Sequence, residues 1–332
     1  MKVRIGLGFG GWPFAERHPG ALAELVERCD ELRIDSIWLS DRIVSPAAGL
    51  SAGSGQGLDP ITAMAFIAAK SRVMKFGTSA LVLGTRHPVP LAQQLATLDF
   101  LSQGRLLLVV GIGSATTRDL EATGTRPEER ARRADESIVL MRKLWSEDNV
   151  TFHGKYYGVE GVSVYPRPWQ KPGPPVWIGG RSDGALRRAG RLGDGWLVAG
   201  ASPEEIARGV ETIHRYAAEA GREVPEDHFG AYVPFLFASS QEEALRRAGG
   251  LASRLRPDLP VTAHAALGTP DDVRAKVQEY LAAGASKLVM RPQCGPGELY
   301  AQLELLAREV VVPFQTPFSA EELRERSGAS VA

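Results

Sequence analysis

An acid and a base, Asp41 and Arg42, stand where the apolar run Ile37-Trp38-Leu39 stops in "SIWLSDRIVSP". A charged pair at such a junction is either a solvated turn or the rim of a site. The other residues with chemical potential are few. The histidines, His18, His87, His153, His214, His228 and His264, have no metal-type spacing such as HExxH and no accompanying carboxylate cluster. His87, in "GTRHPVP", falls just past a β-type run and is a candidate site residue; a surface loop histidine is the plainer alternative. No GxSxG elbow and no Cys/His nucleophile pattern occurs. A chain without its own nucleophile or metal leaves any redox or group-transfer chemistry to a bound cofactor.

Three glycine-rich stretches could receive one. "IGGRSDGALRRAG" (178–190) runs from a strand through Gly179 and Gly180 straight into a helix. The amides of Gly180, Arg181 and Ser182 would face an anion, helped by the helix dipole, and Arg181 would add a charged donor. The plainer alternative is that Ser182 caps the helix, and Asp183 favours it by repelling a phosphate. "GLGFGG" (6–11) matches GxGxxG, but no helix can begin before about Pro19, as a dinucleotide fold requires. Open glycine at the end of a strand fits it better. "GIGSATTRDLEATG" (111–124) offers Gly113 and Ser114 as a loop laid against a flat ring, or as a simple surface turn.

The elements that must position these residues alternate regularly. Strand-like runs occur at 3–9, 35–40, 75–83, 105–111, 175–180, 195–199, 229–238 and 286–292. Helical patterns follow at 20–32, 60–71, 90–102, 126–145, 182–192, 203–220, 241–256, 270–283 and 297–310, and 150–166 reads as hairpin-like pieces. Eight β/α units demand a parallel sheet with right-handed crossovers. In this length they fit an α/β fold of the (β/α)8 TIM barrel type with insertions, with a doubly wound sheet as the alternative. No linker-like composition divides residues 1–332, so one barrel domain is expected, with 313–332 as a peripheral C-terminal tail.

In a barrel the site lies at the C-terminal ends of the strands. That selects Phe9-Gly10, Ser40 to Arg42, Ala80 to Gly84, Gly111 to Ser114, Gly179 to Ser182, Ala199-Gly200, Ala238-Ser239 and Arg291 to Cys294. Most are small, as a mouth that admits a ligand requires. The aperiodic small-residue stretch 44–60 reads as a lid or a long loop over that mouth.

Lys+Arg and Asp+Glu both number 39, so nothing points to nucleic acid or an anionic membrane surface. Two cysteines, Cys29 and Cys294, form neither a disulfide framework nor a zinc site. No apolar run reaches the length of a membrane span, and no signal-peptide pattern opens the chain. A cytoplasmic protein acting on a small molecule is expected.

Four features together resemble the bacterial-luciferase-like flavin oxidoreductases. They are "SIWLSDR", the run "GTSALVLGTRHPVPLAQQLATLDFLSQGRLLLVVGIGS" (77–114), the pair "WSEDNVTFHGKYYGV" with "PRPWQKPGPPVWIGG" (145–180), and "RSDGALRRAGRLGDGW" (181–196). The likeness spans nearly the whole chain and is weakest over 240–268. It implies a luciferase-like barrel that binds FMN or the deazaflavin coenzyme F420 at its mouth. A non-proline cis peptide at the end of the third strand maps to Ser79-Ala80, backing the ring, and the phosphate site maps to Gly179 to Ser182. The last segment is closer to the deazaflavin branch.

The resemblance implies a coenzyme F420-dependent oxidoreductase that moves a hydride between the cofactor and a small organic substrate. Phe9, Asp41, Ser79, Ala80, Gly113, Ser114, Gly179, Gly180, Arg181 and Ser182 would contact the cofactor. Asp41 would be the catalytic ring-side residue, and Trp12, Arg42 and His87 would line the substrate side. Two positions depart from the family pattern. Deazaflavin members often show Asp-His where this chain has Asp41-Arg42, and some have a glutamate where Ser114 stands; a guanidinium cannot relay a proton as histidine does. The proton donor is therefore open. The alternatives are an FMN-dependent monooxygenase fed by a separate reductase, a flavin-binding barrel without turnover, and a barrel enzyme for a phosphorylated metabolite. The family is often dimeric, so a homodimer and a separate flavin or F420 reductase are the expected protein partners.

Overall fold

Ile37, Trp38 and Leu39 are alike in apolar character and separate in space. In the computed structural model, which describes residues 1–9, 13–14, 18–44, 57–114, 118–252, 255–320, 322 and 324, Ile37 and Leu39 enter a large core between strands and helices. Trp38 enters a second cluster, with Val109, Leu197, Tyr232 and Val289. Successive side chains of a strand point to opposite faces, so the second cluster is the inside of a closed sheet.

Eight parallel strands enclose it: β1 (Arg4–Phe9), β2 (Ser36–Leu39), β3 (Lys75–Thr78), β4 (Leu106–Gly111), β5 (Val176–Gly179), β6 (Gly195–Ala199), β7 (Phe229–Phe237) and β8 (Lys287–Pro292). Each pairs with the next, β7 pairs in addition with the short strand Ala266–Gly268, and β8 closes the ring on β1 through Arg4↔Lys287 to Leu7↔Met290. That closure removes the doubly wound alternative and both sheet edges. An antiparallel hairpin, Val150–His153 with Gly158–Val162, stands apart from the barrel, as the sequence suggests.

The inside is filled by large side chains crossing to glycines. A Cβ at Gly6 would lie 2.5 Å from the Trp38 indole nitrogen, and one at Gly8 would collide with the Tyr232 ring. These two glycines of "GLGFGG" thus neither bind a dinucleotide nor line the mouth; they make room for core aromatics. At the closed end Asp35, fully buried, accepts from Lys287 at 3.1 Å and faces Arg4 at 3.5 Å.

Three element boundaries differ from the sequence expectation. The run 75–83 is not one strand: β3 stops at Thr78, the Ser79–Ala80 peptide is cis, Leu81–Val82 pair with Val110 and Gly111, and Leu83–Thr85 form a 3-10 turn. The helix expected from 126 begins with a 3-10 turn, Pro127–Glu129, and is α-helical from Arg130 to Ser146. The segment from 313 onward does not hang loose through Glu322. Gln315 Oε1 accepts from the Ile5 amide at 3.0 Å, Thr316 Oγ1 accepts from the Val3 amide at 2.9 Å, and Arg4 donates to the Thr316 carbonyl at 2.6 Å. The tail seals the N-terminal end of the barrel.

Candidate active site

The open end is built by continuing the inward-facing register one step. Two residues beyond Trp38, Val109, Trp177, Leu197, Tyr232 and Val289 come Ser40, Gly111, Gly179, Ala199, Pro234 and Arg291. Ser79-Ala80 joins them from β3. The Ala80 methyl lies 3.3 Å from where a Cβ of Gly111 would be and 3.2 Å from that of Gly179. Three strand ends thus meet over one methyl group, and only glycine leaves the space above it open. Ser40 Oγ donates to the Phe9 carbonyl at 2.9 Å.

Beneath this layer lie two buried hydroxyls, Ser79 Oγ and Tyr232 Oη, that make no well-formed hydrogen bond among the described residues, although Tyr232 Oη lies near Ser79 and Ser40. Tyr232 reaches across the barrel from β7 to Gly8 on β1. Burial pushes its phenol up, and Arg291 with Ser79 and Ser40 opposes that shift. An orphaned buried hydroxyl costs stability unless something bound pairs with it.

Asp41 is committed elsewhere. Its Oδ2 accepts from the Val82 amide at 2.8 Å, and its two oxygens take both terminal nitrogens of Arg86. The side chain is only 2% exposed. Arg86 also reaches Asp59, 3.2 Å away, which caps the helix Pro60–Lys70. Burial alone would lower the Arg86 pKa; the bonds to Asp41 and Asp59 raise it above its ordinary value. Asp41 therefore ties the end of β2 to the turn after β3, with both oxygens engaged by Arg86. The structure thus gives Asp41 a structural pairing in addition to the ring-side role expected for it.

The other expected residues divide similarly. Phe9 is an outward residue of β1, its ring buried in the large core, so it offers the mouth backbone only. His87 caps the helix Pro88–Leu101 by accepting from the Val89 amide at 3.3 Å, and its ring meets Tyr157 edge-on at 5.3 Å; it borders an outer groove with Asp59, Arg86 and Gln94. Arg42 and Ser114 are exposed at the rim. Gly113 has φ +73°, and a Cβ there would meet Val82 at 2.8 Å, so the loop after β4 folds closely over the turn after β3. Trp12 and most of the expected lid, 45–56, lie outside the described residues. Asp119, not singled out in the sequence, is buried and accepts from the amides of Ile43 and Val44 at 3.1 and 2.6 Å, tying the β2 loop to the β4 loop.

Gly179 to Ser182 form an open turn. Gly180 has φ +109°, a region that favours glycine, and its carbonyl accepts from the Trp196 indole at 2.7 Å. Ser182 caps the helix Asp183–Leu192 by accepting from the Ala185 amide at 3.3 Å. Asp183, which should repel an anion, accepts instead from the Tyr216 hydroxyl at 2.7 Å on the neighbouring helix. The Ala185 amide is taken by Ser182, but among the described residues the Asp183 and Gly184 amides have no acceptor, and Arg181 stands exposed beside them. The next helix start, at Ser202, is closed differently. Its own Glu205 completes a capping box, and buried Arg256 ties Glu205 to Asp258. Of these two adjacent helix starts, only the one at Ser182 has no carboxylate in its cap.

No group of three metal-ligating side chains occurs among the described residues, and no helix there is long and apolar enough to cross a membrane. A closed (β/α)8 barrel with a small-residue mouth, buried orphan hydroxyls and an open helix start defines a cofactor-binding barrel enzyme. The chain belongs to the luciferase-like monooxygenase family, which it matches over residues 5–257, and it is an oxidoreductase. It is 29% identical over 329 residues to an F420-dependent glucose-6-phosphate dehydrogenase of Kineococcus radiotolerans, covering 90% of this chain and 94% of that protein. It is 30% identical over 307 residues to one of Amycolatopsis mediterranei, covering 84% and 89%. Its fold is that of the monooxygenase RslO1 of Streptomyces bottropensis, with a TM-score of 0.77 at 24% identity over 93% of this chain and 99% of that one.

Proposed function

We propose that this chain is a coenzyme F420-dependent oxidoreductase acting on a small organic substrate. The observation that carries the reading is the floor of the mouth, where the Ala80 methyl sits between Gly111 and Gly179, two positions without side chains. A flat ring fits such a floor, and the F420-dependent names of two full-length relatives favour a deazaflavin. When bound, that cofactor supplies hydride transfer at its ring carbon.

The chain's own residues do the rest. Ala80, Gly111 and Gly179 bear the ring. Ser79 Oγ and Tyr232 Oη, unpartnered and buried, are placed to bond the ring's polar edge or a water beneath it. The amides after Gly180, with Arg181, hold the cofactor's phosphate at a helix start whose acid is turned away. The Asp41–Arg86 pair fixes the bend that presents Ser79-Ala80. Orientation and exclusion of water are then the barrel's main contributions to rate.

Titration of the purified chain with F420 and with FMN, followed by cofactor fluorescence, tests this. Micromolar or tighter F420 binding with weak FMN binding is expected; the reverse overturns it. A second reading, a monooxygenase using reduced FMN and oxygen supplied by a separate reductase, is favoured by one observation. Arg42 and Ser114 stand where the resemblance leads one to expect a proton-relaying histidine and a glutamate, so these two positions do not supply the proton relay of a deazaflavin enzyme.

A further inference from the structure

β8 carries two cations on its inward face. Lys287 and Arg291 lie four residues apart, with Val289 of the inner cluster between them. Lys287, at the closed end, is neutralised by buried Asp35 and lies 5.8 Å over the Trp38 ring. Arg291, at the open end, is half-buried, and among the described residues no carboxylate lies within ion-pair distance and no hydrogen-bond acceptor holds its guanidinium. Its neighbours in the same layer, Ser40, Gly111, Gly179, Ala199 and Pro234, carry no charge. Below it is the orphaned Tyr232 hydroxyl. The backbone there is fixed: Arg291 pairs in register with Pro234, Pro292 follows, and Gln293 bonds back to the Arg291 carbonyl at 3.3 Å. A partly desolvated guanidinium without a counter-charge is costly, and a planar carboxylate matches its fork.

We infer that Arg291 is the substrate-binding cation of the mouth and that the substrate is an organic acid held by its carboxylate. One guanidinium balances one negative charge, which favours a monoanion over a phosphate dianion. The inference deepens the proposed function and rests on it for the word substrate. The anion site itself does not depend on which cofactor the barrel takes.

The test is ligand-observed NMR titration of acetate and butyrate against the F420-loaded chain, with acetamide and inorganic phosphate as comparisons. Carboxylate binding should weaken at least tenfold in Arg291→Gln and recover in part in Arg291→Lys. Acetamide should bind neither form, and F420 affinity should stay within about twofold. Melting temperature of each variant controls for folding. Unchanged carboxylate binding in Arg291→Gln overturns the inference, as does phosphate binding more tightly than either carboxylate. A parallel loss of F420 affinity also overturns it, because the arginine would then serve the cofactor. If the chain does not take F420, the proposed cofactor falls, and the same titrations on the chain as purified still decide the role of Arg291.

Discussion

Arg86 grips Asp41 with both terminal nitrogens, and the same carboxylate accepts from the Val82 amide. One bond set therefore joins the end of β2, the turn after β3 and, through Asp59, the start of the next helix. Ser79-Ala80 lies within the span it clamps. The pair shapes the mouth without entering it.

Breaking the pair should cost stability before it costs chemistry. Asp41→Asn leaves Arg86 half-buried with only Asp59 beside it, for an expected loss of about 3 kcal/mol. Arg86→Met strands the 2%-exposed Asp41 carboxylate and should cost at least as much. The double variant should lose much less than the sum, which a denaturation cycle reads as coupling. Full stability in Asp41→Asn together with lost turnover would show Asp41 to be a catalytic residue.

The floor is tested by adding single methyls. In Gly179→Ala the new Cβ meets the Ala80 methyl at 3.2 Å, and in Gly111→Ala at 3.3 Å. Overpacking of this size costs about 1–2 kcal/mol, so both variants should fold. Each new methyl rises where the ring would rest, and cofactor titration should show at least tenfold weaker binding. Unaltered affinity in both would place the ring elsewhere.

The open helix start makes a sharper prediction through Tyr216. Its hydroxyl holds Asp183 away from the first-turn amides. Tyr216→Phe frees that carboxylate to compete for the anion position, and Arg181→Ala removes the charged donor. Both should weaken the phosphate-bearing cofactor severalfold, more at low salt than at high salt. Neither should change affinity for the same deazaflavin chromophore lacking its phosphate. Equal loss for the two compounds would mean a structural effect.

All eight strands were legible because parallel strands buried on both faces read as short apolar runs between helical patterns. That same burial hid which face points inward. β1 and β7 are buried at every position, so period-two alternation is absent. Gly6 and Gly8 accordingly read as mouth glycines, and nothing local in the sequence marks Tyr232 and Arg291 as inward groups. Arg291 stood at a recognised strand end; knowing that Val289 faces inside would have pointed it into the mouth. Asp41 was correctly placed at the end of β2, but its partner lies 45 residues away. Nothing local in the sequence reports such a pairing.

The closure of the barrel floor should respond to acid through Glu322. Burial would raise its pKa, but Lys2, the Ser319 amide and Arg4 outweigh burial and hold it at about 2, against an ordinary 4.5. Asp35 faces the same Arg4 from the barrel side. A carboxylate depressed in the folded chain contributes stability above its unfolded pKa and loses it as pH falls toward the folded one. The contribution is thus complete above about pH 4.5 and gone near pH 2. The amides of Val3 and Ile5, which donate to Thr316 and Gln315, report the docking directly. Their hydrogen exchange, compared between the native chain and Glu322→Gln at each pH, should differ severalfold at pH 6 and converge near pH 2. A difference that persists unchanged to pH 2 would show that the tail is held by Gln315 and Thr316 without help from the Glu322 charge.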